Sequence, residues 1–162
     1  MSKSRSAQRP DPSEAGTQSN APVALARRHL RFGWWMLLLF LSLGLILEAL
    51  HALKASSYLS VANETRRLMW TLAHAHGTLL GLINIAFAFT IRGVPQWPAP
   101  SRGFASALMM GASLLMPAGF FLGGINVRAG DPGLGILLLP IGGLLLLGAI
   151  LLTALGASKY RE

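Results

Sequence analysis

The sequence predicts an all-α protein, a four-helix transmembrane bundle preceded by a disordered N-terminal tail. Three observations carry this. Four apolar runs occupy 33–53, 68–91, 104–127 and 134–155, and each is long enough to cross about 30 Å of hydrocarbon as a helix. Hydrophobic residues make up 52% of the 162 and charged ones only 12%, with a mean hydropathy of +0.51. An ordinary soluble domain does not show that imbalance. The basic residues gather at the ends of the apolar runs, where headgroups and water lie.

Taken in order, residues 1–28 are rich in Ser, Pro, Gln and Arg. Such a segment buries too little apolar surface to offset its ordering entropy, so it reads as a disordered cytoplasmic tail. A cleaved signal peptide does not fit, because the following apolar run starts late and is too long. Asp11 and Glu14 argue against an organelle transit peptide. Residues 29–162 then form one four-span membrane domain. The first span reads GWWMLLLFLSLGLILEALHAL. The loop at 54–67 is too short for a domain but has room for a helical turn on the outer surface. It carries a glycosylation sequon, Asn63-Glu64-Thr65, relevant only in a eukaryotic secretory pathway. Pro117 and Pro140 fall inside spans three and four, where membrane helices tolerate them. Gly130-Asp131-Pro132-Gly133 reads as the tight turn between those spans. Span four is almost wholly apolar, with Gly135, Gly142, Gly143 and Gly148 for close packing.

The net charge of +8 could suggest nucleic acid, but the positions of the charges do not. Lys3, Arg5, Arg9, Arg27, Arg28, Arg31, Arg92, Arg102, Lys159 and Arg161 fall on one side of the predicted membrane. Only Lys54, Arg66, Arg67 and Arg128 fall on the other. Lys and Arg accumulate on the inner side, so both termini are expected in the cytoplasm. The Leu-, Ala- and Gly-rich composition fits a bacterial inner membrane. Trp34, Trp35, Trp70 and Trp97 fall at predicted helix ends, as an aromatic belt would have them. The expected partners are the lipid bilayer and another membrane protein or a second copy of the chain, with no nucleic acid. The absence of cysteine excludes disulfides, thiolate metal sites and Cys nucleophiles.

Helical spacing assigns faces. Gly44, Glu48, His51 and Ala55 form one stripe in span one. His74, Gly77, Gly81, Asn84 and Ala88 form a second, and Ala112, Gly119, Gly123 and Asn126 a third. Each joins small residues, which let backbones approach, to polar ones that bond across the gap. Glu48, His51, His74 and Asn126 fall at similar depth near the outer end, so they are expected to meet. Asn84 lies about 15 Å further in and stands apart. His76 points nearly opposite to His74.

Ionisable groups at membrane depth are costly and so mark candidate sites. Glu48 and His51 form an E-x-x-H pair, the spacing that puts a carboxylate and an imidazole on one metal in di-metal bundles. With His74, and His76 if it joins, the candidate metal ligands are Glu48, His51, His74 and His76. A metal ion or haem is the expected cofactor, with His51 and His74 as candidate haem ligands. His74-Ala-His76-Gly77, opening a membrane helix, resembles the haem-ligating helices of the catalytic subunit of haem–copper oxidases over about a dozen residues. Spans three and four hold no histidine, which excludes a complete oxidase. A Glu in the first of four helices is similar to the small multidrug exporters, and that resemblance implies proton-coupled transport through Glu48. The third class is a non-catalytic membrane subunit or assembly factor whose polar cluster is structural. No P-loop, dinucleotide fingerprint or Ser nucleophile elbow is present, so no reaction is assigned.

Overall fold

The computed structural model describes residues 12–159, with side chains from residue 21 onward apart from Ser57. Those residues are helical apart from short connections. Helix α1 spans Pro12–Ala52, α2 Ser56–Leu59, α3 Glu64–Gly93, α4 Ala99–Ile125 and α5 Leu138–Lys159. Four stretches are long and apolar enough to cross a membrane: Ala21–Ala52, Val61–Gly93, Ala99–Ile125 and Leu134–Lys159. Consecutive long helices run antiparallel, as short connections dictate. α1 packs on α3, α3 on α4, and α4 on α5, while α3 barely touches α5. One end of the bundle carries the start of α1, the end of α5 and the 94–98 turn. The opposite end carries the other two connections.

The first helix begins well before the apolar run. Residues 12–28, expected in the disordered tail, are its opening turns; residues 1–11 lie outside the described residues. Docking accounts for its later turns, from Ala26 onward. Ala26 is 2% exposed and packs with Phe87, Ala88 and Ile91 of α3 in the core at the terminal end. That core also holds Val94, Trp97, Ala105, Met109 and Ala149. Trp97 is therefore a core residue and not part of a belt. It packs against Gly156 and is 2% exposed, with its indole N–H donating to Ser101 at 3.0 Å. Trp34 and Trp35 stay 63% and 67% exposed, as lipid-facing residues would. Buried Arg102 donates to the Trp97 carbonyl at 3.1 Å, bracing the turn before α4.

The two glycine pairs make close approaches, against different partners. A Cβ at Gly77 would overlap the Phe40 ring of α1, and one at Gly81 would crowd Gly33. Gly119 and Gly123 instead face the entrance to α5, beside Leu139 and Ile136. The span-three stripe thus serves α5, not a shared contact with α1.

At the opposite end, α2 and a 3-10 turn at Val61–Asn63 fill the connection. Arg67 fastens it by donating to the carbonyls of Tyr58 and Ser60 at 3.1 and 3.0 Å. The α4–α5 turn falls slightly earlier than expected. Arg128 and Asp131 bond each other's backbone across Ala129 and Gly130. Both central residues have positive φ, 51° and 88°, as a type I′ turn requires. Thr65 of the sequon donates to the Gly130 carbonyl at 2.7 Å, joining the two connections.

Candidate functional site

Two polar sites emerge, one at each end. The first is the groove that the sequence anticipates. Glu48, His51 and His74, with Thr71 and Gly44, line one cavity of about 340 Å³ between α1 and α3. Each His is oriented by a backbone carbonyl. The His51 Nδ1–H donates to the Leu47 carbonyl at 3.1 Å, and the His74 Nδ1–H donates across to the Phe40 carbonyl of α1 at 2.6 Å. The lone pair then sits on Nε2 of each ring. The His74 ring lies against Gly44, where a Cβ would overlap it, so this glycine makes the crossing bond sterically possible. Glu48 and His51 stay exposed at the rim, and His74 is half-buried. Apolar wall comes from Leu41, Leu45 and Leu47.

Tyr58 of α2 backs this groove. Its ring meets the His51 ring edge-on at 5.1 Å between centroids and is 4% exposed. The Tyr58 hydroxyl is buried and completes no hydrogen bond, although Thr71 stands beside it. Burial pushes its pKa up; the Arg67 charge opposes that, and the Glu48 charge adds to it. Sequence reasoning did not single out Tyr58, because nothing in the loop's spacing pointed it inward.

The remaining candidates go elsewhere. His76 turns to α4, with its ring 4.6 Å from that of Phe120 and its Nδ1–H on the Leu72 carbonyl at 2.9 Å. Asn126 ends α4 and lines a separate cavity with Arg128, Asp131 and Gly133, so it does not meet Glu48. Among the described residues, no group of three His, Asp or Glu side chains could hold a metal ion. The expected four-ligand set is not assembled, because His76 diverges and Glu48 and His51 sit at the rim of the helix seam. The two candidate haem ligands, His51 and His74, line the same cavity from α1 and α3.

The second site is a polar lock that the sequence reading left out. His29 of α1 is fully buried, and its Nδ1 lies 2.7 Å from Asn84 Oδ1 and its Nε2 2.7 Å from Ser106 Oγ. Asn84, also fully buried, donates through Nδ2 to Ser113 Oγ at 2.7 Å and to the Leu80 carbonyl at 2.8 Å. Ser113 passes its proton to the Met109 carbonyl at 2.7 Å. The directions follow by elimination. Asn84 Oδ1 only accepts, so His29 Nδ1 carries the hydrogen, and Nε2 of the neutral ring accepts from Ser106. Every polar atom is satisfied, and α1, α3 and α4 are tied at one level. Phe87 packs edge-on to the His29 ring at 4.6 Å. Saturation of this kind leaves no free valence for chemistry and marks the lock as structural.

Beyond the lock, α1 and α4 diverge. They leave an apolar cleft of about 470 Å³ lined by Met36, Phe40, Leu43, Ile46, Pro117 and Phe121 among others. No protein-family profile, no curated protein and no solved structure matches the chain. The functional reading therefore rests on these two sites.

Proposed function

We propose that the chain is a non-catalytic integral membrane protein of a bacterial inner membrane, with both termini cytoplasmic, whose outer groove binds a small amphiphilic cation. Glu48 is the counter-ion, the leucine wall takes the apolar body, and Thr71 supplies a polar contact. The observation that carries this reading is the convergence of Glu48, His51 and His74 from two helices on one cavity. Its size is within the usual range for small-molecule pockets.

The test is binding of benzyltrimethylammonium to detergent-purified protein, wild type beside Glu48→Gln. The expected result is saturable binding that Glu48→Gln weakens about tenfold, the equivalent of about 1.4 kcal/mol. Equal binding by both proteins, or none by either, removes the reading. Orientation is tested independently. The chain has no native cysteine, so a membrane-impermeant thiol reagent applied to intact cells should label Ala62→Cys and spare Gln96→Cys.

A second reading is favoured by α5. Its most apolar window is only 11% buried within the bundle, with Leu134, Leu144, Leu147 and Leu155 exposed. In a membrane subunit, this face would carry a partner helix.

A further inference from the structure

The terminal end of the bundle carries a further cavity, separate from both polar sites. It measures about 380 Å³ and lies between α1 and α4, where Arg27, Arg28 and Arg31 meet Phe32, Trp35 and Met110. Helical spacing explains the convergence: Arg27 and Arg31 are four apart, Arg28 and Arg31 three, and Trp35 lies one further turn along. His29, inside the same run, turns the other way into the lock. The three exposed arginines are like charges on one helix face, which is unfavourable without an anion. No acidic side chain lines the cavity. The acids whose side chains are described, Glu48, Glu64 and Asp131, all belong to the opposite end.

We infer that this cavity binds the phosphate headgroup of an anionic phospholipid in the leaflet facing the chain termini. Charge complementarity selects an anion, and guanidinium forks suit phosphate oxygens. The second half of the cavity selects the kind of anion. Phe32, Trp35 and Met110 continue the basic rim toward the apolar surface, so the site is amphiphilic along its length, as a headgroup and the top of its acyl chains are. Basic pockets between membrane helices on the cytoplasmic side bind such headgroups. Occupancy would also join α1 to α4 just outside the His29–Ser106 contact. The inference does not depend on the outer groove being a cation site.

The experiment uses the full chain in detergent and reads its thermal unfolding midpoint while phosphatidylglycerol, phosphatidylcholine or inorganic phosphate is titrated in. Wild type, Arg27→Gln/Arg31→Gln and the control Arg92→Gln are compared, each first shown to keep its helical circular dichroism. Phosphatidylglycerol is expected to raise the midpoint of wild type and of Arg92→Gln, with phosphatidylcholine giving little. The double variant should need roughly thirty-fold more phosphatidylglycerol, since each arginine near a lipid surface contributes a factor of about five. The advantage of wild type should shrink as salt rises. Equal responses to both lipids would overturn the inference. So would a loss in Arg92→Gln matching that of the double variant, which would mean diffuse charge attraction. If inorganic phosphate stabilises as well as the lipid at equal concentration, the site takes free phosphate and the lipid assignment fails. Should the double variant not fold, Arg27→Lys/Arg31→Lys replaces it. That variant keeps the charge, removes the guanidinium fork, and is expected to fall between the other two.

Discussion

Replacing Asn84 by leucine should unfasten three helices at once. The side chain is fully buried, and its amide makes two interhelical hydrogen bonds, with His29 and Ser113, and one to the Leu80 carbonyl within α3. Leucine fills a similar volume, so the cavity contribution is small and the polar loss dominates. Interhelical side-chain bonds between membrane helices are worth about 0.6 kcal/mol on average and about 1.7 at most. Two of them give roughly 1.2 kcal/mol. The substitution also strands the His29 Nδ1–H at a site without water, and such an orphan costs about 1–3 kcal/mol. These costs overlap, because the orphan is the form in which the His29 bond is lost. The expected destabilisation is about 2–3 kcal/mol.

The assay is reversible unfolding of the purified protein in mixed micelles, followed by circular dichroism, as a double-mutant cycle of His29→Leu and Asn84→Leu. Removing both partners leaves neither stranded by the other. The double variant should therefore lose about 1–2 kcal/mol less than the sum of the singles. A single-variant cost below about 0.5 kcal/mol, or full additivity in the cycle, would refute the argument that this network fastens the bundle.

Further expectations follow from the same geometry. Tyr58→Phe removes a buried hydroxyl that makes no hydrogen bond, so the unliganded protein should gain up to about 1 kcal/mol. Tyrosinate absorbance should show a late component, lost in Tyr58→Phe, because burial raises this pKa. The sign is that of an acid kept neutral: its stabilising contribution is complete below the ordinary tyrosine pKa and is lost as pH climbs through the raised one. Gly44→Ala should cost about 1–3 kcal/mol, since the new methyl meets the His74 ring and forces it off the Phe40 carbonyl. Gly77→Val should cost as much against Phe40, and thermal unfolding in detergent would check both.

The four long apolar helices were legible because apolar length is a property of the chain that no neighbour can alter. The Glu48–His51–His74 groove was legible for a related reason. Its residues lie near helix ends joined by a short connection, so spacing and depth locate them without knowledge of packing. Asn126 looked equivalent by depth, yet the face of α4 that carries it turns toward α5. Depth is readable from residue counts, but which neighbour a helix face meets depends on the order of helices around the bundle. That order decides Asn126 and His76 alike.

His29 escaped notice for a different physical reason. It stands among arginines in a stretch whose polarity alone argues for disorder, and ordering there is repaid only by tertiary docking. A signal was nevertheless present. The buried positions of α1 run back from Leu47 and Gly44 through the adjacent pair Leu37 and Met36 and Gly33 to His29 and Ala26, otherwise spaced by threes, a four and one seven. Extending the small-residue stripe toward the N-terminus, instead of stopping it at the edge of hydropathy, would have carried the helix to Ala26 and placed His29 opposite Asn84. The same seam explains why Glu48 and His51 are exposed. The packed line passes through Leu47, which leaves those two side chains on its flank. A metal site drawn on the seam would have had to be buried. On the flank, the same residues form a rim, and a rim that stays open suits a ligand that must come and go.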